Sequence, residues 1–207
     1  NYGPSVLRAD GSEELWCILG CWQTDEKGEP MFGKNVIGTV VHEFCHSYCN
    51  PIVDAHLEAL HPAGERLYAL VADSMREQAY ANARTLLCES LVRACVVRYR
   101  AVVDGDKAAA EEIAEQKRRS FHWTGELAEL LATEYEKNRK DFPTLQEFGP
   151  ELAAFFRDQV PKLKATLEKE KAQLEKAPKV VSMTPANGAQ DVDPATQALV
   201  VTFDRPM

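Results

Sequence analysis

The sequence lacks any apolar run long enough to cross a bilayer. It also lacks an excess of positive charge: 24 Lys and Arg face 32 Asp and Glu, for a formal net charge of -8. A basic face that displaces counterions from a nucleic acid, or one drawn to an anionic membrane, is therefore not expected. None of the six cysteines forms a C-x-x-C pair, and all six sit inside apolar stretches. An even count permits disulfides in an exported protein. Their apolar surroundings instead favour buried free thiols acting as small hydrophobes. Cys45 and Cys49 are neighbours on a helix, but helix backbone geometry does not favour a disulfide at that spacing. The chain opens at Asn1 without a basic-then-apolar leader, as expected of a trimmed or processed piece. No internal repeat is present. The rest is ordinary for a globular protein: 207 residues, 45% hydrophobic and 27% charged.

Leu15 to Trp22 is short and aromatic and reads as a strand, with Trp16, Ile18 and Trp22 on one face. It is either an edge strand able to pair with an extended peptide or an interior strand with buried tryptophans. Thr24 to Gly33 reads as a loop. Asn35 to Asn50 reads as a helix, because Ile37, Val40, Val41, Phe44, Cys45 and Tyr48 recur at the helical period. Pro51 is expected to stop it. Further helices are expected over residues 63–82, 83–103, 107–119, 125–138 and 150–176. The last ends in a charged stretch that suits an exposed connector. Composition changes at Ala177-Pro178, and residues 178–207 read as strand, turn, strand. Two strands cannot bury a core alone.

The chemistry is concentrated at His42-Glu43-Phe44-Cys45-His46. On a helix, His42 and His46 share one face about one turn apart and can hold one tetrahedral Zn2+. Glu43 is rotated about 100° from His42, beside the metal rather than on it. There it can act as general base on a metal-activated water. The alternative is two ordinary helix histidines and a solvated carboxylate.

A third ligand is needed. Cys49 shares the face, but lies about 10.5 Å along the helix from His42, too far to converge with both histidines. The metzincin pattern would need Gly and His where this chain has Cys49 and Ile52. The gluzincin pattern takes a Glu from a later helix. Glu89 fits best, as a carboxylate in a mostly apolar helix that is costly unless paired or metal-bound. Its competing role is an ion pair with Arg93, four residues on. Glu77, Glu58 and Asp54 are rivals in more polar surroundings. Many gluzincins carry an acid four residues after the ligand, where this chain has Arg93.

The run from His42 to Pro51, with Glu89-Ser90-Leu91-Val92-Arg93-Ala94, Arg98-Tyr99 and Phe121-His122-Trp123, resembles a bacterial family of gluzincin-like metallopeptidases, the domain of unknown function DUF4932. The resemblance covers most of residues 15–160. It implies His42, His46 and Glu89 as zinc ligands and Glu43 as base. The stretch Pro185 to Met207, with Gly188-Ala189-Gln190-Asp191-Val192 and Val201-Thr202-Phe203-Asp204-Arg205-Pro206-Met207, resembles the opening of bacterial immunoglobulin-like domains. That likeness implies an exported bacterial protein: periplasmic, surface-bound or secreted.

The expected fold is α+β and mainly α-helical. A zincin-like catalytic domain with a small N-terminal β-sheet would fill residues 1–177, and a truncated Ig-like β-sandwich segment residues 178–207. The expected function is zinc-dependent hydrolysis of a peptide or protein substrate. A zinc hydrolase of non-peptide amides and a non-catalytic zinc-containing binding module are the alternatives, and an intact Glu43 weighs against the second. For the oxyanion, His122 is a candidate, with a surface histidine as its plain alternative. Tyr99 lies about 15 Å past Glu89 along the helix and suits the core better. His56 and His61 are expected to be solvated.

Overall fold

Residues 83–103 carry apolar side chains on nearly every face, the pattern of a helix enclosed by others. In the computed structural model, which describes residues 2–33 and 36–205, this segment is helix α3 (Ala83–Val103) and lies at the centre of the fold. Asn82 starts it: its backbone is extended, and its side chain accepts from the Thr85 N–H at 2.9 Å. Around α3 pack α1 (Val36–Ala55), α2 (Leu57–Glu77), α4 (Asp106–Arg118) and α5 (Thr124–Leu130). After α5 the chain widens into a π turn (Leu131–Tyr135) and then tightens into a 3-10 turn (Glu136–Asn138), so the helix expected over 125–138 is α-helical only in its first half. The core joins Leu86, Leu87 and Leu91 of α3 to Leu67 and Met75 of α2 and to the fully buried Phe121 and Trp123. Trp123 Nε1 donates to Ser90 Oγ at 3.0 Å, and Ser90 donates on to the Leu86 carbonyl at 2.7 Å.

The N-terminal sheet is an antiparallel pair, β1 (Ser5–Leu7) and β2 (Glu13–Leu15). The strand expected over 15–22 forms only at its start: Leu15 lies in β2, the Trp16 N–H donates to the Pro4 carbonyl at 2.9 Å, and Ile18 pairs with Tyr2 in the same register. Trp16 and Trp22 are 50% and 82% exposed, so these are not the buried tryptophans of an interior strand.

Helix α1 runs through Pro51 to Ala55. Proline removes one N–H donor but carries a helical φ, and packing on α3 keeps the helix intact across it. Its buried face also differs from the expected one. Ile37, Phe44 and Tyr48 are exposed, and the enclosed residues are Glu43, Cys49 and Val53. Asn35, where this helix was expected to begin, lies outside the described residues. Helix α2 starts at Leu57 and takes Pro62 inside it, six residues earlier than the sequence suggests.

The chain divides into two units, Asn1–Leu163 and Lys164–Met207, with the division inside helix α6 (Gly149–Lys176). In the second unit β3 (Val180–Thr184) pairs antiparallel with β4 (Val200–Phe203). The architecture is α+β and mainly helical, with two small antiparallel sheets. Among the described residues no helix is long and apolar enough to cross a membrane.

Candidate metal centre

Helix α1 turns His42 and His46 toward α3, and α3 turns Glu89 toward them. The two Nε2 atoms are 3.2 Å apart. Glu89 Oε2 lies 3.6 Å from His42 Nε2, and Oε1 lies 3.4 Å from His46 Nε2. Ligand bonds of about 2.0–2.2 Å directed to tetrahedral corners place neighbouring ligand atoms about 3.4 Å apart. The two imidazoles have about that spacing, a different Glu89 oxygen faces each of them, and one ligand atom from each of the three residues lies within 4.8 Å of the others. This donor set could hold a metal ion. The rival carboxylates stand elsewhere: Asp54 is exposed and bonded to Arg84 at 2.6 Å and 2.7 Å, and Glu58 and Glu77 are exposed.

Two of the three groups are held by a partner outside the cluster. His46 Nδ1 donates to Asn50 Oδ1 at 3.2 Å, one turn along α1, which points Nε2 at the cluster. Glu89 is buried and accepts from Arg93 Nη2 at 2.9 Å. The ligand geometry and the Arg93 ion pair, competing readings of Glu89 from sequence, are both present. Arg93 is buried as well: it donates to Gln116 Oε1 at 2.5 Å and to the Tyr80 hydroxyl at 2.8 Å, and lies over the Phe121 ring.

These surroundings set the charges. Burial pushes His42 down to about 4, leaving it a neutral imidazole with a lone pair to offer. Burial acts against charge on His46 too, but its bonds to Glu89 and Asn50 outweigh this and raise it above 6.5. Burial alone would raise Glu89; the His46 bond and the Arg93 charge outweigh it and hold the carboxyl at about 2. Burial raises Glu43 above the usual carboxylate range.

A cavity of about 380 Å³ opens onto the cluster, lined by Tyr2, Gly3, His42, Glu43, His46, Asn50, Tyr80 and Glu89. Glu43 sits beside the three ligands without being one of them. Gly3 lets the N-terminal segment lie on α1 here, since a Cβ at this position would meet the Glu43 carbonyl oxygen at 2.2 Å. Tyr80 and Asn50 carry no motif that marks them in the sequence. Tyr80 reaches the cavity from the α2–α3 connection, where Ala79 has a left-handed φ of 64°. Its N–H donates to the Met75 carbonyl at 2.8 Å, and its carbonyl accepts from the Tyr68 hydroxyl at 3.1 Å. His122 does not line this cavity. His56, expected to be solvated, donates to the Gln146 carbonyl at 2.8 Å.

Residues 1–155 match the family described as "Domain of unknown function (DUF4932)". The chain belongs to this family. The match contains every residue of the cluster, from His42 to Arg93, and Gln116 with them. No curated protein and no solved structure matches the chain, so the family has to be read from its own side chains.

Proposed function

We propose that this DUF4932 domain is a zinc-dependent peptidase of gluzincin type, with His42, His46 and Glu89 as the metal ligands and Glu43 as general base. The observation that carries the reading is the placement of a buried carboxylate, Glu43, beside the three converging side chains His42, His46 and Glu89. A purely structural metal site has no use for such a base.

A bound Zn2+ would supply a Lewis acid that acidifies a water molecule and polarises a carbonyl. Glu43 is the group to take that water's proton, and its raised pKa brings it nearer the operating pH at which a base works best. Passing the proton on to the leaving amine would restore it for the next turnover. Asn50 orients His46, and Arg93 orients Glu89. Tyr80 accepts from Arg93 and is hydrogen-bonded to Glu89, which ties its hydroxyl to the ligand carboxylate. Neutral His42 completes the donor set without adding charge.

The test is metal content followed by substrate profiling. Wild type purified without added metal should carry one zinc, and E89A should lose it. Zinc-loaded wild type should cleave members of a peptide library, and E43Q should not. Bound zinc with no peptide cleavage would move the assignment to a non-peptide amide hydrolase or a binding module. Full zinc in E89A would remove Glu89 from the ligand set.

A further inference from the structure

Beside the metal cluster, on the same two helices, lies a group of thiols that the proposed reaction does not use. Cys49 of α1 and Cys95 of α3 have their sulfurs 3.8 Å apart, with 46 positions of chain between them. Cys45 hydrogen-bonds to both. Cys49 is 2% exposed, whereas Cys45 and Cys95 are partly exposed. The sequence leads one to expect six separate apolar thiols; the fold brings three of them into one cluster and leaves Cys21 exposed.

We infer that Cys49 and Cys95 form a redox-driven cross-link that ties α1 to α3 immediately behind the His42–His46–Glu89 cluster. A disulfide needs its sulfurs about 2.05 Å apart, so closing the pair takes about 1.8 Å of movement, within reach of small side-chain rotations. Cys45 and Cys49 are a poor pair because they share one helix. Cys49 and Cys95 approach from two packed helices. The oxidant is a small-molecule disulfide of the glutathione class. Cys95 attacks one of its sulfurs, releasing one glutathione thiol and leaving a mixed disulfide. Cys49 then attacks the Cys95 sulfur and releases the second glutathione thiol. The two protein thiols give up two electrons and two protons, which leave on the two glutathione molecules. Cys49 follows His46 by three residues, and Cys95 follows Glu89 by six. The bond would therefore fix the separation of the two helices that supply the ligands.

The hydrogen bond to Cys45 and burial push the Cys95 thiol up to about 12, so cross-linking should take hours rather than seconds. The test incubates the 207-residue chain overnight at mildly alkaline pH with glutathione disulfide, then counts thiols in denaturant and maps peptides without reduction. Wild type should yield a Cys49–Cys95 linked peptide and, with the exposed Cys21 left aside, keep three of its other five thiols. Its unfolding temperature should rise by roughly 5–10 °C over the reduced protein. C45S should still yield the linked peptide, whereas C49S and C95S should give no such peptide. Cys49 and Cys95 both surviving as thiols, a different pairing for either, a persistent mixed disulfide on either, or a C45S variant without the linked peptide would overturn the assignment. None of these readouts depends on metal or on activity.

Discussion

At the residue scale, two of the three groups that could hold a metal, His46 and Glu89, each have a partner outside the cluster. Asn50 is the clearest case: its carbonyl oxygen accepts from the His46 Nδ1–H, and Nε2 then faces Glu89 and His42. Removing such an outer partner typically costs about 10–100-fold in metal affinity. N50A should show that loss in a chelator competition, with the helix content unchanged; an unaltered affinity would mean that packing alone orients the ring. E43Q is the complementary case. It should keep one metal per chain and lose about 10²–10⁴-fold in peptide turnover, because only the base is removed. Acid should act on the metal-free protein through His42. The native pKa of about 4 lies below the unfolded 6.5, so the unfolded chain takes up the proton first. The His42 contribution should be level above pH 6.5 and fall as pH drops from 6.5 to 4, by on the order of 2–3 kcal/mol. Glu89, held at about 2 against 4.5, adds its own loss only below about pH 4.5. His46 shifts the other way, gaining stability below its raised pKa, but that gain is complete by pH 6.5 and does not mask the fall. Urea titrations at pH 7.5, 6, 5 and 4 check the sign. Of these residues, His42, Glu43 and His46 were legible from spacing along one helix. Glu89 was legible because a lone carboxylate in an apolar helix is costly. Tyr80 and Asn50 were not, because their roles depend on how the α2–α3 connection and a single side-chain rotamer fall in space.

At the scale of the elements, α3 organises everything else. Its bounds were readable because Asn82 caps its start and Asp104-Gly105 ends its apolar run. The inner face of α1 departs from its apolar periodicity for a physical reason. A helix that presents ligands to a neighbour turns polar side chains inward and leaves Phe44 and Tyr48 outside, the reverse of the amphipathic rule. The link between α3 and the segment before α5 can be tested at Trp123. W123F keeps the ring in its buried slot and removes the donor to Ser90 Oγ. The hydroxyl then lacks a partner it cannot replace with water, at a cost of about 1–2 kcal/mol. Guanidinium unfolding should show that drop with an unchanged denaturant slope. A neutral result would mean that the Ser90 bond to the Leu86 carbonyl satisfies the hydroxyl by itself.

At the scale of the whole molecule, the residues of the candidate site are confined to the first of the two units. His42, Glu43, His46, Tyr80, Glu89, Arg93 and Gln116 all precede Leu163. The change of composition at Ala177-Pro178 was visible because a charged helix gives way to proline, glycine and alternating valines. The division at Leu163 was not, since it falls within one continuous helix and leaves no local mark. The hairpin beyond that helix encloses little: Val180, Val181, Leu199 and Val200 are 51–60% exposed. Two strands that bury so little apolar surface contribute little to folding free energy. A chain ending at residue 177 should therefore bind metal with the stoichiometry of the full chain and unfold within about 1 kcal/mol of it. Metal analysis and urea melts on the two lengths decide the matter. Equal values would place the metal centre and its stability in the helical part. A truncated chain that lost its metal while staying helical would show that the hairpin supports the centre from outside the unit that holds it.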